Sequence, residues 1–463
     1  MSSPSAPKAS VGTLLSLGWP VIVARSTQSI IGFADAYMIA SLGEDALAAT
    51  TTGALNAFAL AILPMGAAFI VQSFAAQLAG KRDYRGARRY GWYGLTLAAF
   101  VLVLGAAAVP AVGPTLGLFP YEPEVHRLMT AYLEIRLYAV GAFVGTEVLG
   151  NWYAGLGNTR LQMIAGILSM VINVALNWVL IYGHLGAPAM GVEGAALASV
   201  IAAWCGFGLL LAVFLRGWGA PRITGPLGLK LSELGRMLRF GLPNGINWFL
   251  EFAAFTIFIN VVVGTLGTVA HAALMVVIQI NSVSFMPAFG LSSAGAILAG
   301  QAIGARALDA VPGIVWRTLK VTAGWQCAVG ALYVIMPGAL MSLFDTASAN
   351  AAEMLALGAS MLALSAAWQL FDAVGMVVGE ALRAAGDTAW CMWARLALGW
   401  LVFTPVAVLA VNVLGGGPVA AILSLVLYMV LLAAALTWRF MTGRWRSIDL
   451  TGTELPLPVA DPT

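Results

Sequence analysis

Residues Phe252 to Ala305 read FAAFTIFINVVVGTLGTVAHAALMVVIQINSVSFMPAFGLSSAGAILAGQAIGA, without one Asp, Glu, Lys or Arg. A bilayer-spanning helix takes about 20 apolar residues, so this stretch must hold two such helices and a turn. Ala46–Gly80, Tyr90–Tyr121 and Leu396–Trp438 are also free of charge. The chain as a whole is 60% apolar and 9% charged, with a mean hydropathy of +0.90. A soluble chain carries about a quarter charged residues. The fold class is therefore all-α integral membrane. A β-barrel would show strands of about ten residues alternating polar and apolar positions, and none are present.

Splitting the apolar runs at turn and charge clusters predicts twelve transmembrane helices. They fall at about 13–41, 46–79, 90–117, 127–154, 160–184, 190–215, 237–264, 270–302, 313–344, 352–383, 388–412 and 417–440. The basic clusters (Lys8, Lys81 to Arg89, Arg160, Arg216 to Arg239, Arg306 to Lys320, Arg383, Arg395 and Arg439 to Arg446) then all fall on one side. By the positive-inside rule that side is cytoplasmic, which puts both termini inside and the protein, multi-pass, in the plasma (inner) membrane. Most basic residues lie in short loops or at the ends of spans, which argues against a nucleic-acid partner. Cys205, Cys327 and Cys391 lie in apolar stretches without pairing or metal-ligand spacing and read as packing residues.

The second half repeats the first. Gly18-Trp19-Pro20 recurs as Gly241-Leu242-Pro243, and the same offset of 223 carries Gln28 onto Glu251. Gln77-Leu78-Ala79-Gly80 recurs as Gln301-Ala302-Ile303-Gly304, and Gly157-Asn158-Thr159 as Gly386-Asp387-Thr388. Six helices per copy is an even number, so the copies face the same way and form two six-helix lobes related by a parallel pseudo-twofold axis along the membrane normal. The expected divisions are a cytoplasmic N-terminal tail 1–12, an N-lobe 13–216, a cytoplasmic linker 217–236 rich in Gly and Pro, a C-lobe 237–441 and a disordered tail 442–463.

Ionisable groups inside spans are costly and point to function by default. Asp35 lies some twenty residues into the first helix; it reads as a proton or Na⁺ site, or as a structural acid with a nearby donor. Asn173 and Asn177 share one face of the fifth helix and suit either cation ligation through their oxygens or interhelical bonding. Glu251, in the seventh helix, and Asp372, in the tenth, are candidates for cation or cationic-substrate binding in the second lobe. Gln28, Trp368, Asn247 and Gln279 are candidate cavity residues. Arg25 is expected to pair with Glu147, or else with Glu251 across the cleft. Glu380 and Arg383 are expected to form a local pair where the tenth helix leaves the membrane, and Glu134 and Arg136 to snorkel in part. Pro20 and Pro243, two turns into the first helix of each repeat, are candidate flexure points.

The ordered set Pro20…Gln28…Asp35, Gln77…Gly80, Gly155-Leu156-Gly157-Asn158-Thr159, Asn173…Asn177, Pro243…Glu251, Gln301…Gly304 and Phe371-Asp372…Leu382-Arg383-Ala384-Ala385-Gly386-Asp387-Thr388 resembles the multidrug and toxic compound extrusion (MATE) family, in its NorM-like branch. The resemblance runs from about Leu14 to Arg439. It implies a V of two six-helix lobes that exports organic, often cationic, compounds against H⁺ or Na⁺. By position it makes Asp35, Asn173 and Asn177 the first-lobe cation site, and Glu251 and Asp372 the second-lobe acids. Asn177 stands where some relatives have an aspartate, Trp368 where NorM-like members can have a tyrosine, and Arg25 lies outside the family pattern.

The expected function is a cation-coupled (H⁺ or Na⁺) antiporter, not an enzyme, that exports amphipathic organic, cationic drugs or metabolites by alternating access. It is expected to need no cofactor beyond the coupling ion, H⁺ or Na⁺, and no metal other than Na⁺ at the coupling residues where Na⁺ is that ion. Its partners are small organic substrates and the lipid bilayer, and it is expected to be monomeric. A lipid-linked precursor flippase of the same superfamily would want several basic residues lining the cavity, and only Arg25, Arg136 and Arg395 sit well inside spans. A passive channel fits duplicated lobes with isolated acids less well. A membrane enzyme would need a clustered constellation, but His126, His184 and His271 fall at separate helix ends.

Overall fold

The computed structural model describes residues 10–223, 225–344 and 350–452; the tail up to residue 9 and residues 453–463 lie outside the described residues. The described residues form twelve long helices: α1 (Val11–Ala40), α2 (Glu44–Gly80), α3 (Tyr84–Leu116), α4 (Pro123–Gly155), α5 (Arg160–Tyr182), α6 (Gly191–Leu215), α7 (Leu231–Leu266), α8 (Thr268–Gly304), α9 (Leu308–Ile335), α10 (Ala351–Ala385), α11 (Thr388–Val413) and α12 (Gly417–Met441). Ten are long and apolar enough to cross a bilayer, and α9 makes an eleventh when taken with its continuation Pro337–Phe344, bent from it by 93°. The twelfth, α1, is long enough but carries Arg25 and Asp35, which lower its hydropathy.

Several boundaries differ from the sequence reading. The bend after α9 splits the helix expected over 313–344. Met336 precedes Pro337 and leaves the helical region (φ −131°, ψ 42°), because a proline ring crowds the helical conformation of the residue before it. α3 and α7 at the basic end, and α4 at the opposite end, begin four to six residues earlier than expected. The uncharged runs stop where charges begin, but the helices continue into water as amphipathic turns. Glu233 on the first turn of α7, for example, takes two hydrogen bonds from Arg89 (2.7 and 2.9 Å) and one from Tyr93.

The tail from 442 is a second correction. Expected to be disordered, it is packed over its described part to 452: Trp445 is 3% exposed within the C-lobe core, and Leu450 is wholly buried in the N-lobe core. An indole and a leucine with apolar cores in reach lose more by staying in water than the chain loses by ordering.

Each lobe has its own core. The N-lobe packs Phe74, Tyr90, Trp152 and Phe214 at the basic end, with a second cluster around Ile39, Met129 and Tyr132 toward the other end. The C-lobe core runs through Leu274, Leu298, Met361, Leu382, Phe403 and Leu436.

The lobes meet where α1 crosses α8 and where α2 crosses α7. A side chain added at Gly290 would come 3.1 Å from the Gly18 carbonyl, and one at Gly241 would come 2.7 Å from that of Ala67. Gly18 and Gly241 are the repeat-related pair, so the two crossings are images of each other. Small residues allow this close backbone approach where lipid supplies no hydrophobic drive between helices. The repeat extends to backbone detail: Arg82 and Arg306, just past α2 and α8, are both left-handed, at φ 60° and 61°.

Candidate functional site

Two buried polar sites are present, one per lobe. In the N-lobe, α1, α5 and α6 bring Asp35, Asn173, Asn177 and Ser199 into a closed ring. Asn177 Nδ2 donates to Asp35 Oδ1 (2.5 Å) and to Asn173 Oδ1 (3.3 Å). Asn173 Nδ2 donates to Ser199 Oγ (3.1 Å), which in turn donates to Asp35 Oδ2 (3.3 Å). Asp35 is 8% exposed and the two asparagines are fully buried. Asn177 Oδ1 is buried with no donor facing it. No ion pair involves Asp35 among the described residues. The ring therefore has spare acceptor capacity and no basic side chain paired with its carboxylate, a chemistry suited to a proton or a small cation.

The sequence reading found the two asparagines through their four-residue spacing but missed Ser199. A single serine in the small-residue run of α6 carries no signature of its own.

In the C-lobe a cavity of about 500 Å³ opens between α1, α2, α7, α8, α10, α11 and α12. Glu251 and Asp372 both line it, as the resemblance implies for the second-lobe acids, but their surroundings differ. Arg395, on α11, binds both Glu251 oxygens through Nη1, at 2.8 Å each. Asp372 accepts one hydrogen bond, from Gln326 Nε2 (3.2 Å), and is in no ion pair among the described residues. Gln326 is fully buried on α9, with its Oε1 unpartnered.

Of the four cavity candidates, Asn247 lines this cavity and Gln28, Trp368 and Gln279 do not. Gln28 lies about one turn beyond Arg25, the α1 residue that does reach the wall. Trp368 packs into the C-lobe core, and Gln279 is exposed. Helices α1 and α7 continue through Pro20 and Pro243. Further along α7 the regular pattern gives way to a wider turn at Phe258–Val262, well past the proline.

Three guanidiniums reach the cavity: Arg25, Arg383 and Arg395. Arg25 makes the expected pair with Glu147, two parallel bonds of 2.8 Å. Arg383, in the last turn of α10, makes the expected pair with Glu380, but its bonds are not only local. It is 4% exposed and bonds across the lobe interface to the Phe69 carbonyl, Ser73 Oγ and Gln72 Oε1, each at 3.2 Å. Phe69, where α2 is interrupted, lies between the guanidiniums of Arg25 (5.4 Å) and Arg383 (4.4 Å). The expectation that too few arginines face the cavity is thus corrected. Each of the three is matched to a carboxylate, however, which leaves Asp372 as the unmatched charge.

A sequence profile of the MatE family matches residues 20–179 and 245–409. The chain is 29% identical to "Probable multidrug resistance protein NorM" of Rhizobium meliloti over 439 residues, 92% of each chain. It is 30% identical to the protein of the same description in Mesorhizobium japonicum over 421 residues, 85% of this chain and 86% of that one. Among solved structures, a MATE protein in complex with MaL6 superposes with a TM-score of 0.85 at 20% identity, covering 96% of this chain and 98% of that one. A MOP superfamily transporter from Pyrococcus furiosus gives 0.84 at 19%, with the same coverage.

Proposed function

The chain belongs to the MatE family, and from that premise we propose that it is a multidrug exporter working as a cation-coupled antiporter by alternating access. The observation that carries the coupling is Asp35, a buried carboxylate held by two asparagines and a serine with no basic partner. Glu251 is already neutralised by Arg395, which leaves Asp35 in the N-lobe and Asp372 in the C-lobe as the acids open to H⁺ or Na⁺. The basic end is cytoplasmic by the positive-inside rule, in the plasma membrane with both termini inside. It is also the end at which Gln72, Ser73, Gln77 and Arg383 bond across the lobes. The conformation is thus the one closed to the cytoplasm. Ion binding at Asp35 favours substrate release outward, and return to the inward state frees the ion. Coupling needs only that ion and substrate differ in affinity for the two states.

The test is efflux from proteoliposomes under a pH gradient and, separately, an Na⁺ gradient. Uptake or release that follows one gradient supports antiport. Indifference to both refutes it and favours a passive channel or a lipid-linked precursor flippase.

A further inference from the structure

At the basic end, away from the large cavity, a smaller hollow of about 290 Å³ lies between the second turn of α1 and the turn that joins α4 to α5. Its walls are Ser16, Leu17, Gly157, Asn158, Thr159 and Arg160, with no carboxylate among them. Helix α5 starts here with its cap unmade: Thr159 stands at the N-cap position without bonding the first turn. The backbone N–H groups of Thr159, Arg160 and Leu161 take no partner among the described residues. Thr159 is only 2% exposed, yet its hydroxyl makes no hydrogen bond and is not sealed off from the hollow. Arg160, exposed on the rim, enters no ion pair or hydrogen bond among the described residues.

The other repeat shows what is missing. Gly157-Asn158-Thr159 corresponds to Gly386-Asp387-Thr388 at the start of α11. There Asp387 supplies a carboxylate, which takes two hydrogen bonds from Arg439 (2.6 and 3.1 Å), and Thr388 Oγ1 donates to the Phe240 carbonyl. In the N-lobe an amide replaces that acid, and Asn158 spends its Nδ2 on the Gly219 carbonyl (3.0 Å). The C-lobe helix start holds its own anion. The N-lobe start has the cation, the idle donors and the space, without the anion.

We propose that this hollow is a binding site for a phosphate group at the cytoplasmic membrane surface, carried by an anionic lipid or free in solution. Unpaired N–H groups and the positive end of the helix dipole converge on one point, which is the usual way a helix start holds a phosphate. The Arg160 guanidinium adds a planar fork of donors that matches phosphate oxygens, and Thr159 adds a hydroxyl. A metal ion would find no acid here and a fixed positive charge. A neutral apolar ligand would leave the Thr159 hydroxyl and the amides desolvated and unmatched. The level of the site, at the cytoplasmic ends of α1, α4 and α5, is that of inner-leaflet headgroups. The site is separate from the transport cavity, so binding needs neither substrate nor gradient.

The experiment uses the full chain, purified and delipidated in neutral detergent. One arm is equilibrium dialysis against radiolabelled orthophosphate; the other is native mass spectrometry with phosphatidylglycerol, compared with phosphatidylcholine. Wild type is expected to take up one equivalent saturably in at least one arm. Preference for phosphatidylglycerol alone identifies the lipid as the source, and orthophosphate binding identifies the free ion. Arg160→Gln should weaken that binding by about tenfold or more, the share of one charge-assisted hydrogen bond. Asn158→Asp, which gives the N-lobe copy the carboxylate of the C-lobe copy, should do the same by offering Arg160 an internal anion. Thr159→Val should weaken binding by a smaller factor. Arg444→Gln removes the charge of another exposed arginine at the basic end and should leave binding unchanged. Thermal unfolding confirms that each variant is folded. Saturable binding of neither probe by wild type, an equal loss in Arg444→Gln, or full binding by Asn158→Asp overturns the proposal.

Discussion

Gln77 and Gln301 make the same bond twice. Each donates its side-chain amide to the end of the fourth helix of the opposite lobe, Gln77 to the Ala384 carbonyl at 2.8 Å and Gln301 to the Gly155 carbonyl at 3.1 Å. The glycines three residues on complete the reciprocity: a side chain at Gly80 would overlap the Gln301 carbonyl, and one at Gly304 that of Gln77. The repeated Gln-x-x-Gly is thus a clasp that closes the basic end, and its two halves are related by the pseudo-twofold axis.

Gln77→Ala and Gln301→Ala should each loosen this end by about 1 kcal/mol, roughly a fivefold shift in population toward the opened form. Gly304→Ala should prevent closure, because the obstacle is backbone rather than a movable side chain. Spin labels at the exposed Arg82 and Arg306, with the three native cysteines replaced, read the separation. Unchanged distance distributions in all three variants would show that the clasp is ornamental.

Asp35→Asn should fold and reach the membrane, since an amide can still occupy the ring with Asn177 and Ser199, but gradient-driven efflux should be lost. Asn177→Ala removes the shortest bond to Asp35 while keeping the carboxylate. It should preserve coupled efflux and shift its pH dependence. Wild-type efflux by Asp35→Asn across a full pH series would remove Asp35 from the coupling step.

Arg25 and Glu147 test structure rather than transport. Either Arg25→Gln or Glu147→Gln alone strands a charge and should cost about 3–5 kcal/mol, whereas the double variant should recover most of that loss. Thermal unfolding in detergent measures it. Additive losses in the double variant would mean that the two residues act independently despite their paired 2.8 Å bonds.

How far the sequence reached is plain from these residues. Charge-free runs decided the helices and basic clusters their alternation, because a bilayer excludes unpaired charge whatever the sequence around it. The repeat exposed Gln77 and Gln301 because they are duplicated, although their cross-lobe partners are backbone carbonyls that no sequence pattern marks. Asp35 with Asn173 and Asn177 was legible through depth and spacing.

Arg395 could be placed inside its span, but its partner could not be named. Thr388 at the start of α11 bonds the Phe240 carbonyl (2.8 Å), so α11 begins level with Phe240 of α7 and its long arginine reaches outward to Glu251. That relative height of two helices is a tertiary fact. For the same reason the sequence left Arg25 open between Glu147 and Glu251.

The strap from 442 to 452 offers the last prediction. It leaves α12 in the C-lobe, buries Trp445 there, and ends with Leu450 in the N-lobe core and Thr451 accepting a hydrogen bond from Lys81 Nζ at 2.5 Å. A segment anchored in both lobes at the closed end must release one anchor before that end can open. Leu450→Ala removes a wholly buried side chain, at about 2–5 kcal/mol where the site cannot collapse. Trp445→Ala, which frees the C-lobe anchor, should act in the same direction. Both should raise the opened population in the Arg82–Arg306 distance measurement and leave each lobe's own packing intact, visible as an unchanged helical signal at low temperature. If the distances stay closed while the unfolding temperature falls, the strap is a plain stability element and opening does not pass through its release.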